Sequence, residues 1–134
     1  MDDLINSGLA PLIPETQLGI LGNRIKLIGL DMEREIYFEV LTPLGIRVRT
    51  TKEYWEYIVH VKHRVMKDKE EIVKDVLSNP EEIYRSKIDQ SIYLYYKGFD
   101  RTYCVVVKHI GNEGYLITTY PTDKIKEGVR IWKR

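Results

Sequence analysis

The run Tyr103-Cys104-Val105-Val106-Val107 constrains this chain most, because none of its positions is charged. A strand sends alternate side chains to opposite faces, so a run of this kind needs cover on both sides and belongs in the middle of a sheet. Its surroundings, Ile92–Trp132, hold two further strand-like runs. Ile92–Lys97 sets Ile92, Leu94 and Tyr96 against Tyr93, Tyr95 and Lys97, and Tyr115–Tyr120 is β-branched and aromatic. The connections Gly98–Arg101 and Gly111–Glu113 have hairpin length and turn chemistry, so the three runs are expected to pair antiparallel. Val129–Trp132 adds a short fourth strand.

Upstream, alternation recurs in Arg24–Ile28, Glu35–Leu41 and Ile46–Arg49, which predicts a small β meander that is an appendage to the main sheet or an extension of it. Thr50-Thr51-Lys52-Glu53 has the spacing of a capping box, with Thr50 as cap and Glu53 reaching back. The helix it opens should run to about Arg64 and bury Trp55, Ile58 and Val59, with Lys62 at the end of the same stripe. A second helix is expected from about Lys69 to Ser78 with Ile72, Val73, Val76 and Leu77 inward, ended by Asn79-Pro80. Glu81–Asp89 reads as a helical turn followed by an edge strand. The predicted fold class is therefore α+β: an N-terminal β meander, two helices, then a four-stranded antiparallel sheet. In domain terms, residues 1–22 read as an arm and residues 23–134 as one domain, with the meander in 23–49 and the helices and core sheet in 50–134.

A chain of 134 residues suffices for one core without staples. Its net charge of +1 hides an asymmetry: residues 1–83 carry 11 Lys/Arg against 15 Asp/Glu, and residues 84–134 carry 10 against 5. The sheet half is thus the basic half, which suits an anionic partner and equally suits a solvated basic rim. The one cysteine, Cys104, falls in the most apolar strand and reads as a buried, inert thiol. Neither a signal peptide nor a membrane span is expected, which makes the cytoplasm the expected compartment.

No nucleotide-binding glycine loop, metal-ligand cluster or nucleophile elbow is present in the sequence. His60 and His63 have workable metal spacing but no further ligands suggest themselves, so no metal and no cofactor is expected. What remains is His, Lys, Arg, Thr and Tyr around a sheet, the equipment for metal-free phosphoryl transfer at RNA: an imidazole to move protons, cations to hold charge, hydroxyls to orient. Each residue also has a structural reading. His63 can simply cap a helix end, Lys108 can be a strand-end charge, and Thr118 can fill a strand position by propensity.

Several short motifs, in order, resemble the barnase–EndoU–colicin–RelE-like (BECR) nuclease superfamily, in particular its phage-associated group. They are Val48-Arg49-Thr50-Thr51 leading to Trp55 and Ile58, Lys62-His63, Leu77–Ile83 around Asn79-Pro80, Val105-Val106-Val107-Lys108, Ile117–Tyr120, Ile125-Lys126-Glu127-Gly128 and Ile131-Trp132. The match spans Ile46–Trp132. It departs where the family has His-Pro and this chain has His63-Arg64, where a family histidine is Tyr57, and where a small alanine is Thr119. The resemblance implies a BECR-like fold and a metal-independent endoribonuclease that turns the ribose 2′-hydroxyl on the adjacent phosphorus and leaves a 2′,3′-cyclic phosphate. It also implies a toxin of a toxin–antitoxin or phage-conflict pair. On that footing His63 would be general acid or base, Arg85 and Lys108 would hold phosphorane charge, and Thr118 and Tyr120 would grip the phosphate. Lys62, Tyr93, Tyr95 and Lys126 would bind RNA. Expected partners are RNA, an antitoxin or immunity protein, or a second copy, with no membrane. The competing reading is a module that binds single-stranded RNA or a protein partner without catalysis.

Overall fold

In a computed structural model, residues 35–124 and 127–134 are described. The expected arm (residues 1–22) and the strand-like run Arg24–Ile28 lie outside them, as does Lys126. In chain order the elements are β1 (Ile36–Leu41), β2 (Arg47–Thr51), α1 (Lys52–Tyr57), α2 (Glu70–Ser78), β3 (Glu82–Arg85), β4 (Ile92–Gly98), β5 (Thr102–Ile110), β6 (Glu113–Pro121) and β7 (Val129–Lys133). The fold is α+β, with one mixed seven-stranded sheet in the order β1-β2-β6-β5-β4-β3-β7. β5 is the central strand, as its apolarity on both faces requires. Among the described residues, no helix is long and apolar enough to cross a membrane.

The sheet differs from the four-stranded antiparallel one expected. The hairpin β1–β2 is no separate meander: β2 runs parallel to β6, pairing Arg47–Arg49 with Glu113–Tyr115, and so extends the main sheet. The segment after Pro80 has no helical turn. It enters β3 directly, and β3 is an internal strand between β4 and β7 rather than an edge. Local turn signals foretell hairpins. They carry no information on which distant strands meet, and that is why β2–β6 and β3–β7 went unforeseen.

The first helix also differs. The cap is Thr51, whose Oγ1 accepts from Tyr54 N at 3.0 Å; both threonines are paired in β2, but the Thr50 side chain is buried and its hydroxyl donates to Thr51 O. Regular α-helix stops at Tyr57, Ile58–Lys62 continue as a π-helical turn, and Arg64–Met66 form a 3₁₀ turn. Trp55, Ile58, Val59 and Met66 from this segment pack with Val73, Val76 and Leu77 of α2 onto Val48, Tyr95, Val105, Val107 and Leu116 of the sheet. Each fully buried side chain of this size contributes roughly 1.5–3 kcal/mol. A partly buried ion pair, Lys97 Nζ to Asp75 Oδ2 at 2.6 Å, ties α2 to β4.

The helices cover one face, so β5 sends Tyr103, Val105 and Val107 towards them and Cys104, Val106 and Lys108 to the opposite face, here called the open face because no helix among the described residues packs on it. There Leu94, Tyr96 and Cys104 form a second, smaller cluster with Tyr84, Val106 and Tyr120 packed against it. Cys104 is fully buried, and desolvation pushes its thiol up to about 12. Native protein should therefore resist a thiol reagent that labels the denatured chain at once. Rapid native labelling would contradict the packing.

Candidate functional site

The open face owes its chemistry to one irregularity. Between β5 and β6 the register runs Val107↔Leu116 and then Val106↔Thr118, leaving Ile117 as a bulge. Without it, strict alternation would put Thr118 and Tyr120 on the same face as Leu116, inside the helix-covered core. With it, Gly114 and Leu116 face the core while Thr118 and Tyr120 join Val106 and Cys104 on the open face. The bulge is held from the side, since Tyr54 Oη donates to Ile117 O at 2.8 Å.

His63 reaches this face from the end of the helical segment. Its backbone (φ −144°, ψ 86°) breaks the helix between the π turn and the 3₁₀ turn. It is fixed at both ends: His63 N donates to Ile58 O at 2.8 Å, and His63 O accepts from Met66 N at 3.0 Å, with Met66 fully buried. The imidazole lies with its centroid 5.3 Å from that of Tyr120, at an interplanar angle of 44°. Together with Tyr96 and Glu127 the pair lines a cavity of about 420 Å³. Partial burial, and then the neighbouring Lys62 charge, lower the His63 pKa, so the ring is neutral at physiological pH and available as a base. Burial raises the Tyr120 and Tyr96 hydroxyls, which therefore stay protonated as donors.

Lys108 and Thr118 lie on the same face as Tyr120 but further along it. Thr118 is opposite Val106, and Lys108 sits between Ile92 and Tyr115. The Thr118 Oγ1 is buried without a hydrogen-bond partner among the described residues. Thr118 does not line the His63 cavity, so its hydroxyl is not placed to meet a ligand there. Two further cations belong to this face by register: Arg49, opposite Tyr115, and Arg130, opposite Tyr84. Arg49 is ion-paired with Glu113 and stands 5.9 Å from the Tyr115 ring centroid.

The remaining expected residues are elsewhere. Arg85 shares the face of Ile83 and Tyr93, opposite to that of Lys108, so it does not join the Lys108–Thr118–Tyr120 group. Tyr95 is wholly buried, its hydroxyl held by Thr42 and His109, and has no free ring face for a base. Tyr93 is on that same side, stacked on His109. Lys62 adjoins His63 and is exposed, its Nζ 5.7 Å from the Tyr57 ring. His60 points away, hydrogen-bonded to Glu56 at 2.8 Å, and shares no ligand set with His63. Tyr96 and Glu127 were legible only in part. The period of two groups Tyr96 with Leu94, but nothing local says that Tyr120 stands on the other side of Cys104 from it.

No family model matches this chain, nor does any curated protein or any solved structure.

Proposed function

We propose that the open face binds RNA and cleaves it without a metal ion, by transesterification to a 2′,3′-cyclic phosphate. The observation that carries this reading is the half-buried His63 imidazole held against Tyr120, on the face that carries Lys108 further along. In the proposed step His63 takes the proton of the ribose 2′-hydroxyl, and the 2′-oxygen forms a bond to the adjacent phosphorus. The bond from phosphorus to the 5′-oxygen breaks, and that oxygen takes its proton from solvent. Tyr120 donates to a phosphate oxygen, and Thr118, its hydroxyl buried, has no part in the step. Lys108, with Arg49 or Arg130, offsets the extra negative charge of the phosphorane. Arg85 has no part in this scheme, because it faces the other way. Action as a toxin held in check by a protein partner is compatible with the scheme and adds nothing to the chemistry.

A second reading has its own support: Tyr115, exposed between Arg49 and Lys108 near the start of β6, offers a stacking platform among cations, which is enough for binding without cleavage. One experiment separates the two. A fluorescent RNA oligonucleotide incubated in excess EDTA should be cut to products with 2′,3′-cyclic ends, and its 2′-deoxy counterpart should survive intact. Cleavage that vanishes with chelator and returns with Mg²⁺ would sink the metal-free scheme. An RNA bound but uncut favours the binding module.

A further inference from the structure

The cavity beside His63 holds a cation that the cleavage scheme does not use. β6 ends at Pro121, directly after Tyr120, and Thr122, Lys124 and Glu127 of the connection to β7 line the same cavity as His63 and Tyr120. The connection is anchored where it leaves the sheet. Thr122 N donates to Thr102 O at 2.9 Å, and Lys124 N donates to Thr122 Oγ1 at 3.0 Å. Lys124 is exposed, and no ion pair joins it to another described residue. Lys108 stands elsewhere on the face. It lies opposite Tyr115, whereas Cys104, four residues earlier on β5, lies opposite Tyr120. At a strand rise of about 3.3 Å per residue the two rows are roughly 13 Å apart.

Two physical arguments bear on which cation meets a phosphate held at His63 and Tyr120. Attraction between charges falls with distance, so a cation in contact at about 4 Å acts roughly three times as strongly as one at about 13 Å. The lining also sets a charge requirement. Glu127 is the one acid of the cavity wall among the described residues, and the His63 ring is neutral at physiological pH. Without Lys124 the wall would carry negative charge alone and would repel a phosphodiester. We propose that Lys124 is the cation that binds the scissile phosphate in the His63 cavity, with Tyr120 donating to the same group. The proposal rests on the reading of this cavity as the place of cleavage. Lys108 then acts on the phosphorane charge from further along the face, and Lys124 acts on it in contact.

The test uses the intact protein with inorganic phosphate as probe, at constant pH, following the His63 ring signals by NMR. Phosphate should shift them saturably in the parent. Lys124→Met keeps the stem and removes the charge, and it should need roughly tenfold more phosphate, the loss of about one charge-assisted contact. Lys124→Arg should bind phosphate about as the parent does. Lys74→Ala removes a like charge from α2, on the other side of the sheet, and should leave the titration unchanged. Lys124 is exposed, so its replacement should not disturb the fold. In the cleavage assay Lys124→Met should lower kcat by on the order of 10²-fold, with KM for a long RNA moving far less, because the other cations of the face still hold the strand. A parent that binds phosphate through Lys124 yet leaves RNA intact would end the cleavage reading and keep Lys124 as the anion ligand. No shift in the parent, an unchanged titration in Lys124→Met, or a Lys124→Met variant that cuts RNA at the parental rate would overturn the proposal, and the last of these leaves the cleavage reading standing.

Discussion

Replacing His63 by alanine should lower the rate of RNA cleavage by on the order of 10²–10⁴-fold while leaving RNA affinity nearly unchanged. The magnitude is that of a proton-transfer residue, and the selectivity follows from where the residue sits. His63 is half-buried at the rim of its cavity, and its backbone hydrogen bonds to Ile58 and Met66 do not involve the side chain, so the fold loses little. The pH profile gives an independent check. A base works only when neutral, and burial together with Lys62 lowers the His63 pKa below its ordinary value. The acid limb of kcat/KM should therefore fall below pH 6.5, not above it, and it should disappear in His63→Ala. Lys108→Ala acts differently, since a charge serves both binding and transition state. Rate and affinity should fall together, with a shallower dependence on salt. A His63→Ala variant that cuts RNA at the parental rate would remove the imidazole from the mechanism, whatever else the face binds.

What could be read in the chain and what could not divide along a physical line. The run Tyr103–Val107 announced a central strand because burial on both faces leaves a mark at every position. Trp55, Ile58, Val73 and Leu77 announced core-facing helices because the helical period leaves a mark every third or fourth residue. The faces of β6 were not legible. Thr118 and Tyr120 are two apart and so share a face in any strand, but which face depends on the bulge at Ile117. Nothing in Tyr115–Tyr120 marks that bulge; it is set by Tyr54 Oη holding Ile117 O, across 63 positions of sequence. The cap slipped from Thr50 to Thr51 for a similar reason. Two adjacent threonines have equal local claims, and burial of the first against the core left the second to cap. His109 escaped notice because its partners, Tyr93, Tyr95 and Thr42, converge on it only through strand register. His63 is singled out by the resemblance and by its place at the helix end, yet its neighbour Tyr120 is 57 positions away and only the folded chain puts the rings 5.3 Å apart.

Gly128→Ala should destabilise the protein by on the order of 2–5 kcal/mol and damage the His63 cavity with it. Two costs combine. Gly128 has φ +91°, a conformation that costs a residue with a Cβ about 1–2 kcal/mol. A Cβ there would also press into the backbone of Arg85, meeting its carbonyl oxygen and standing 3.0 Å from its carbonyl carbon. Backbone cannot swing aside as a side chain can. Relief requires β7 to part from β3 at the Arg85–Val129 pair, where the seventh strand begins. Glu127, one residue earlier, lines the cavity with His63 and Tyr120, so the same displacement moves a wall of the candidate site. Gly45→Ala supplies the control, because Gly45 has φ +78° but nothing within 4 Å of the added carbon. It should show the conformational cost alone, roughly 1–2 kcal/mol by denaturant unfolding, and cleave RNA at the parental rate. If Gly128→Ala unfolds at the same denaturant concentration as Gly45→Ala and retains activity, the close approach to Arg85 does not bear on stability and the β3–β7 junction does not shape the site.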